Sequence, residues 1–333
     1  LLCIGIGSLL TMPLSGALST RFGCRRVLSV VSVAFASILI VLALVPSLSL
    51  AVLGLLSFGV FMGAIDVVVN IHAILVEQAA GKRMMSGMHA FWSVGGFAGA
   101  GLFSLWTATF GLTPLQSTCI AAGIIVTLIR IIHRYLLPYG GGDGGALIAI
   151  PRGIVIVVGI VAFISFLSEG AIMDWSGIFL TEVHHFDLSF AGMGFSLFSG
   201  AMLIMRFFGD VTVHHLGQKL VVLGGSVLSV LGFLAIIFGE AAILLYAGFF
   251  IIGIGVANII PVFFSLLGKQ NVMPISLAVS AVGTFGYLGI LAGPAVIGFL
   301  AHATNLYAAF AFLAALTALQ GILAAFVYRK MGV

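Results

Sequence analysis

Three carboxylates in this sequence stand where a charge is costly, and the chemistry they suit is proton movement. Asp66 lies near the middle of an apolar run over residues 48–79. A charged side chain at the centre of a bilayer costs roughly 2.5–3.5 kcal/mol on insertion scales, so it usually has a task. Asn70 follows at i+4, which puts both on one helix face. Asp66 reads either as a hydrogen-bonding partner between helices or as a proton carrier. A count favours the carrier: the visible sequence places no Lys or Arg at that depth, and a desolvated carboxylate without a countercharge tends to hold a proton. Glu169 lies past the middle of the run 153–180, with Asp174 and Trp175 nearer its end. For Glu169 a coupling role and a packing role both stay open, and Asp174 can simply face water. Trp175, like Trp106, fits an interfacial aromatic belt, or it offers a face on which the C–H side of a polyol can stack.

Other polar residues share these runs. His89 and Trp92 are one turn apart in the run 84–110, Asn258 lies in 241–267 and Tyr287 in 272–300. Asp66, Asn70, His89, Trp92, Glu169, Asp174, Trp175, Asn258 and Tyr287 form the candidate cavity set, with Asp66 and Glu169 for proton coupling and the rest for substrate. Each of the neutral ones serves equally as glue between helices.

The elements that must position these groups are helices crossing a membrane. The 333 residues are 62% hydrophobic and only 7% charged, against about 25% charged in a soluble domain. Eleven apolar runs reach the roughly 20 residues that a spanning helix needs: about 1–19, 27–45, 48–79, 84–110, 114–136, 153–180, 189–208, 219–238, 241–267, 272–300 and 304–328. They are continuously apolar, which excludes the alternation of a membrane barrel. The thirteen Lys and Arg fall at every second junction, beginning with Arg21, Arg25 and Arg26 and continuing with Lys82 and Arg83. Arg130, Arg134 and Arg152 follow, then Arg206 and Lys219, Lys269, and Arg329 with Lys330. The junctions near Pro46, Thr113, Asp187, Glu240 and His302 hold none. Cations in short loops stay on the cytoplasmic side, so this alternation orients every span. His214 and His215 then lie in a cytoplasmic loop as solvated groups. The net charge of +4 follows from that topology and points to no nucleic acid.

Cys3, Cys24 and Cys119 have neither metal-ligand spacing nor a disulfide pattern. A phosphate-cradling G-x4-G-K-[ST] loop is absent, and no catalytic constellation is evident, so the expectation is no cofactor, no metal and no enzyme.

The sequence repeats itself. Phe91, Gly95 and Gly99 recur as Phe285, Gly289 and Gly293, and Gly23 recurs as Gly217, an offset of 217 − 23 = 194 residues. Asn258 falls within two positions of the repeat equivalent of Asp66 (66 + 194 = 260). Small residues four apart let helices approach closely, so these stripes are expected packing faces. Runs one to five pair with runs seven to eleven, and 153–180 has no visible partner, so a first helix preceding residue 1 is expected. The domains expected are 1–136, an N-terminal bundle lacking its first helix, and 152–333, a C-terminal bundle. The linker 137–151, with Gly140, Gly141, Gly142, Gly144 and Gly145, reads as a flexible cytoplasmic hinge.

Loop motifs add a resemblance. Gly16, Leu18, Arg21, Gly23 and Arg25 follow the signature G-x-L-x-D-R-x-G-R-R, with Thr20 in place of the acid and Cys24 in place of a cation. The stretch Arg206-Phe207-Phe208-Gly209-Asp210 through Gly217 is similar to its second-half variant. Gly253, Gly255 and Pro261, and then Gly293-Pro294 with Gly298, add to the set. In this order they resemble the major facilitator superfamily, which is built as two parallel six-helix repeats, each an inverted three-plus-three pair. Asp66-Val67-Val68-Val69-Asn70, Met88-His89-Ala90-Phe91-Trp92-Ser93, Glu169-Gly170 and Asp174-Trp175 resemble a bacterial branch that includes a rhizopine permease. The fucose permease is a more distant likeness, also with a carboxylate on its fourth helix. The resemblance implies an all-α integral membrane fold and a cytoplasmic gate in which Glu77 pairs with cations of the first motif loop. Arg21, Arg25, Glu77 and Asp210 are the gate candidates.

The expected function is secondary active transport by alternating access, as proton symport of a small neutral or cationic polar solute. A sugar, inositol or amino-polyol fits, since anions would meet Asp66 and Glu169 with no visible cation beside them. Proton-driven efflux of hydrophobic or cationic compounds is the alternative, supported by 28 Phe and 11 Met but not by segment four, which lacks the Gly-Pro pair of drug antiporters. A sensor or scaffold without net transport is the reading from another class. The expected partners are solute, protons and lipid, with a monomer in the bacterial inner membrane.

Overall fold

The computed structural model describes residues 2–142 and 147–332. Gly144 and Gly145 of the expected hinge lie outside the described residues. Every long element described is an α-helix: α1 (Leu2–Phe22), α2 (Cys24–Leu44), α3 (Leu48–Ala80), α4 (Met85–Ser104), α5 (Pro114–Ile132), α6 (Ile154–Ile178) and α7 (Met193–Phe207). They continue as α8 (Gly209–Leu216), α9 (Gln218–Phe238), α10 (Ala242–Val256), α11 (Ile259–Leu267), α12 (Ile275–Ala303) and α13 (Leu306–Met331). Among the described residues, ten helical stretches are long and apolar enough to cross a membrane, with α10 and α11 counted as one. The eleventh expected run is α4, whose 20 residues reach about 30 Å at 1.5 Å each. His89 and the glycines at 87, 95, 96, 99 and 101 dilute its apolarity.

Local signals explain several boundaries. Ser47, Thr113 and Asn305 cap α3, α5 and α13 by accepting from Leu50, Gln116 and Ala308 backbone N–H groups. Thr113 and Gln116 form a reciprocal capping box with Pro114 in the first turn, so three local preferences fix this helix start. The expected run 241–267 is not a single helix, since it breaks at Ala257–Asn258 between α10 and α11, and beyond the run 189–208 the chain turns at Phe208 and continues as α8.

The repeat is visible in the backbone. Gly23 has φ 78 and ψ 149, and Gly217 has φ 83 and ψ 151, each immediately before a helix. A side chain is strained at such φ values, which accounts for glycine at both positions. The paired F-x3-G-x3-G stripes behave differently. A Cβ on Gly289 or Gly293 would run into the Phe163 or Leu167 carbonyl of α6, so this stripe is a tight packing face. At Gly95 and Gly99 a Cβ would meet no described atom within 4 Å.

Two compact units result. Unit 1 holds residues 1–82, 91–151 and 271–284, and unit 2 holds 83–90, 152–270 and 285–333. The first residues of α4 thus group with the later part of the chain, and those of α12 with the earlier part. In unit 1, α1 lies on α3 through Gly59 and Gly63, with the Ser8 hydroxyl donating to the Gly59 carbonyl at 2.8 Å. The remaining hinge glycines are packed. A Cβ on Gly140 would strike the Ser19 carbonyl, and one on Gly142 would meet Thr20 Oγ1 at 3.1 Å. At these positions glycine serves close approach, which corrects the expectation of slack. Unit 2 has an aromatic core in which Phe179, Phe198, Phe233, Phe249 and Phe310 are fully buried.

Candidate functional site

In unit 1, Asp66 is half-buried on α3, between the buried residues Gly63 and Val67. Both neighbours pack on other helices, Gly63 against Ser8 of α1 and Val67 against Gly283 of α12. Its carboxylate has no hydrogen bond or ion pair among the described residues. Asn70 is buried, and its amide donates back to the Asp66 carbonyl at 2.9 Å, not to the carboxylate. The polar stripe therefore exists, but Asn70 satisfies itself along its own helix and leaves the acid unengaged.

Unit 2 treats its acid differently. Glu169 of α6 is half-buried and interacts electrostatically with Arg206 of α7. Arg206 is 8% exposed and donates from Nε to the Ala257 carbonyl at 3.2 Å. This corrects the expectation that Glu169 has no cation beside it. The junction rule assigns Arg206 to a loop, but α7 encloses it and the chain stays helical through α8. Asn258 completes a reciprocal stitch, donating from Nδ2 to the Met205 carbonyl at 3.1 Å. Each of the two helices therefore gives a side chain to the other's backbone, across the break that frees the Ala257 carbonyl. The Asn258 Oδ1 is buried without a partner among the described residues.

The remaining candidates separate. His89 falls in unit 2, takes a contact of 3.0 Å from Nδ1 to the Met85 carbonyl, stacks on Phe264 and feels the charge of Arg206. Trp92 lies one turn further along α4, so it shares a helix face with His89, and it is 59% exposed. Trp175 gives its indole N–H to the Pro294 carbonyl at 3.0 Å and lays its ring against Gly298. That engagement is helix packing. Asp174 is exposed, and Tyr287 is half-buried and engaged.

The gate candidates are similarly placed. Arg25 donates to the Leu136 carbonyl at 2.7 Å and the Arg134 carbonyl at 3.2 Å, holding the end of the α5 segment. Arg21 is exposed, its guanidinium 5.3 Å from the Phe22 ring centre, and Glu77 is half-buried and engaged near the end of α3. Asp210 accepts from the Ser86 N–H at 3.1 Å and the Gly87 N–H at 2.8 Å, in the first turn of α4. It is a helix cap supplied from more than a hundred residues away, and its charge suits the positive helix end. The start of α12 in unit 1 is met without charge. There the Ser276 N–H reaches the Gly141 carbonyl at 3.4 Å, and the Ser276 and Thr20 hydroxyls lie 2.8 Å apart.

Comparison with known proteins agrees with this architecture. The family description Major Facilitator Superfamily matches residues 158–331. An uncharacterised MFS-type transporter of Yersinia pestis is 42% identical over 314 residues, 93% of this chain and 81% of that protein. The membrane protein MosC of Rhizobium meliloti is 29% identical over 322 residues, 95% of this chain and 77% of that protein. The human organic anion transporter MFSD10 superposes with a TM-score of 0.79 at 18% identity, over 96% of this chain and 82% of that one. The E. coli fucose:proton symporter FucP gives 0.78 at 15% identity, over 98% and 89%. At these identities the two solved structures share the fold.

Proposed function

Because the chain belongs to the Major Facilitator Superfamily and is a multi-pass membrane transporter, we propose that it is a proton-coupled symporter of a small neutral or cationic polar solute. Sugars, inositols and amino-polyols are the chemical class, alternating access is the mechanism, and the bacterial inner membrane is the location. The segments 1–136 and 152–333 are the two moving bundles, joined by 137–151.

One observation carries this reading: Asp66 is a half-buried carboxylate in mid-helix with no partner among the described residues. An acid already locked to a cation cannot exchange a proton without breaking the lock, whereas Asp66 has nothing to break. Glu169 was expected to share the coupling task and is assigned instead to balancing Arg206. The solute class follows from the same charges. An anion would meet the Asp66 carboxylate in low dielectric, and the charge of Arg206 is already opposed by Glu169.

The test uses proteoliposomes and a panel of labelled hexoses, inositols and amino-polyols. Counterflow of at least one solute distinguishes a transporter from a sensor. That solute is expected to accumulate when the interior is made alkaline, and the accumulation should collapse with a protonophore. Counterflow that ignores an imposed pH gradient would reduce the protein to a facilitator.

A further inference from the structure

Unit 2 also holds a cationic pocket whose lining includes none of the candidate transport residues. It has a volume of about 530 Å³ and is lined by Arg83, Lys219, Lys269, Gln218 and Tyr328, with Leu216, Gly217, Leu220 and Leu223. Four parts of the chain converge there: the approach to α4, the first turn of α9, the turn after α11 and the last turn of α13. Three cations face it and no carboxylate does. The Arg83 Nη1 donates to the Val213 carbonyl, which fixes the guanidinium at the rim. Residues 217–220 place the pocket at the N-terminus of α9, where the helix dipole is positive. Tyr328 is only 1% exposed, yet its hydroxyl has no hydrogen-bond partner among the described residues. A buried orphan of this kind calls for an acceptor or donor that the protein itself does not supply.

The pocket does not end at its charges. Leu223 also lines an apolar groove of about 430 Å³ between α9 and α13. Val227 and Leu231 form one wall, and Ala318, Ile322 and Ala325 the other. Gly321 keeps the helices close, since a Cβ there would lie 3.0 Å from the Ser226 Cβ. The Ser226 hydroxyl turns back to the Val222 carbonyl at 2.9 Å, so it presents no free polar group to the groove. From Leu223 to Leu231 the groove follows roughly 12 Å of α9, at 1.5 Å per residue.

We propose that pocket and groove together bind one anionic phospholipid of the cytoplasmic leaflet. Its phosphate sits among Arg83, Lys219 and Lys269 near the Tyr328 hydroxyl, and one acyl chain lies between α9 and α13. Basic pockets between spanning helices on the cytoplasmic side are suited to anionic headgroups. The shared Leu223 is what selects a lipid over a free phosphate, because a soluble anion gains nothing from the groove. A choline headgroup would bring a fourth cation to three, so zwitterionic phosphatidylcholine is disfavoured.

The full chain, purified and delipidated in detergent, tests this by native mass spectrometry and thermal melting. The probes are phosphatidylglycerol, phosphatidylcholine and soluble glycerol phosphate. Phosphatidylglycerol is expected to remain bound and raise the melting temperature, with little effect from the other two. Lys219 and Lys269 are exposed, so the Lys219→Gln/Lys269→Gln variant should melt normally without lipid and retain phosphatidylglycerol about tenfold less well. Ile322→Trp, which fills the groove, should lower phosphatidylglycerol retention with the lysines intact. Equal retention of both phospholipids, or unchanged retention in the lysine variant, would overturn the proposal. So would glycerol phosphate matching phosphatidylglycerol while Ile322→Trp has no effect, which would assign the pocket to a soluble anion.

Discussion

Asp66 and the first turn of α12 in unit 1 are met without charge, whereas Glu169 and the first turn of α4 in unit 2 are met with it. In unit 1, Asp66 has no partner among the described residues, and the first turn of α12 is met by a carbonyl and two hydroxyls. In unit 2, Glu169 is answered by Arg206, and the first turn of α4 is capped by the Asp210 carboxylate. The repeat sharpens the contrast. At the 194-residue offset Asp210 takes the place of Gly16, whose Cα lies so close to the start of α12 that a Cβ would strike the Ser276 carbonyl. One copy closes the junction by contact and the other by a charge. Matched charges fix a structure, while an unmatched acid is available for proton exchange, and the coupling role proposed for Asp66 rests on that difference.

Stability measurements can break or sharpen that division. The largest loss is expected for Glu169→Gln, which removes an opposing charge from the buried Arg206 guanidinium and should cost about 3 kcal/mol in detergent unfolding. Adding Arg206→Gln in that background should return part of the loss. If the two single losses simply add, the pair is not coupled. Next comes Asp210→Ala, expected to cost about 1 kcal/mol and to speed hydrogen exchange at the Ser86 and Gly87 amides. Unchanged exchange there would remove the capping role. Thr20→Val should be smaller, about 0.6 kcal/mol, as is usual for a hydrogen bond between membrane helices. The smallest change is expected for Asp66→Asn, within about 0.5 kcal/mol of the parent, because the substitution breaks no interaction of the side chain.

Much of the fold was legible because membrane spans are written in continuous apolar runs and in the placement of cations. The family resemblance, carried by Gly16 through Arg25 and by Arg206 through Gly217, agrees with the relatives found. Asp66 stands out in the same way, as an acid in the middle of the run 48–79. The misreadings share one cause: sequence patterns report local context, and these contacts are remote. Arg206 counts as a loop cation until α8 is seen to continue the helix and the α10–α11 break is seen to offer it the Ala257 carbonyl. No local capping pattern marks the start of α4, because its acid comes from 124 positions later. Gly140 and Gly142 look like slack until Ser19 and Thr20 are found against them.

The decisive measurement concerns the residue expected to matter least for stability. Asp66→Asn protein in proteoliposomes, with a solute identified by counterflow, is followed for exchange at zero gradient and for accumulation under an inside-alkaline pH gradient. The asparagine stands in for the protonated acid, so exchange should continue near the parent rate while accumulation disappears and solute addition no longer alkalinises the external medium. An Asp66→Asn protein that still concentrates its solute in response to the pH gradient would contradict the assignment of Asp66 as the proton carrier.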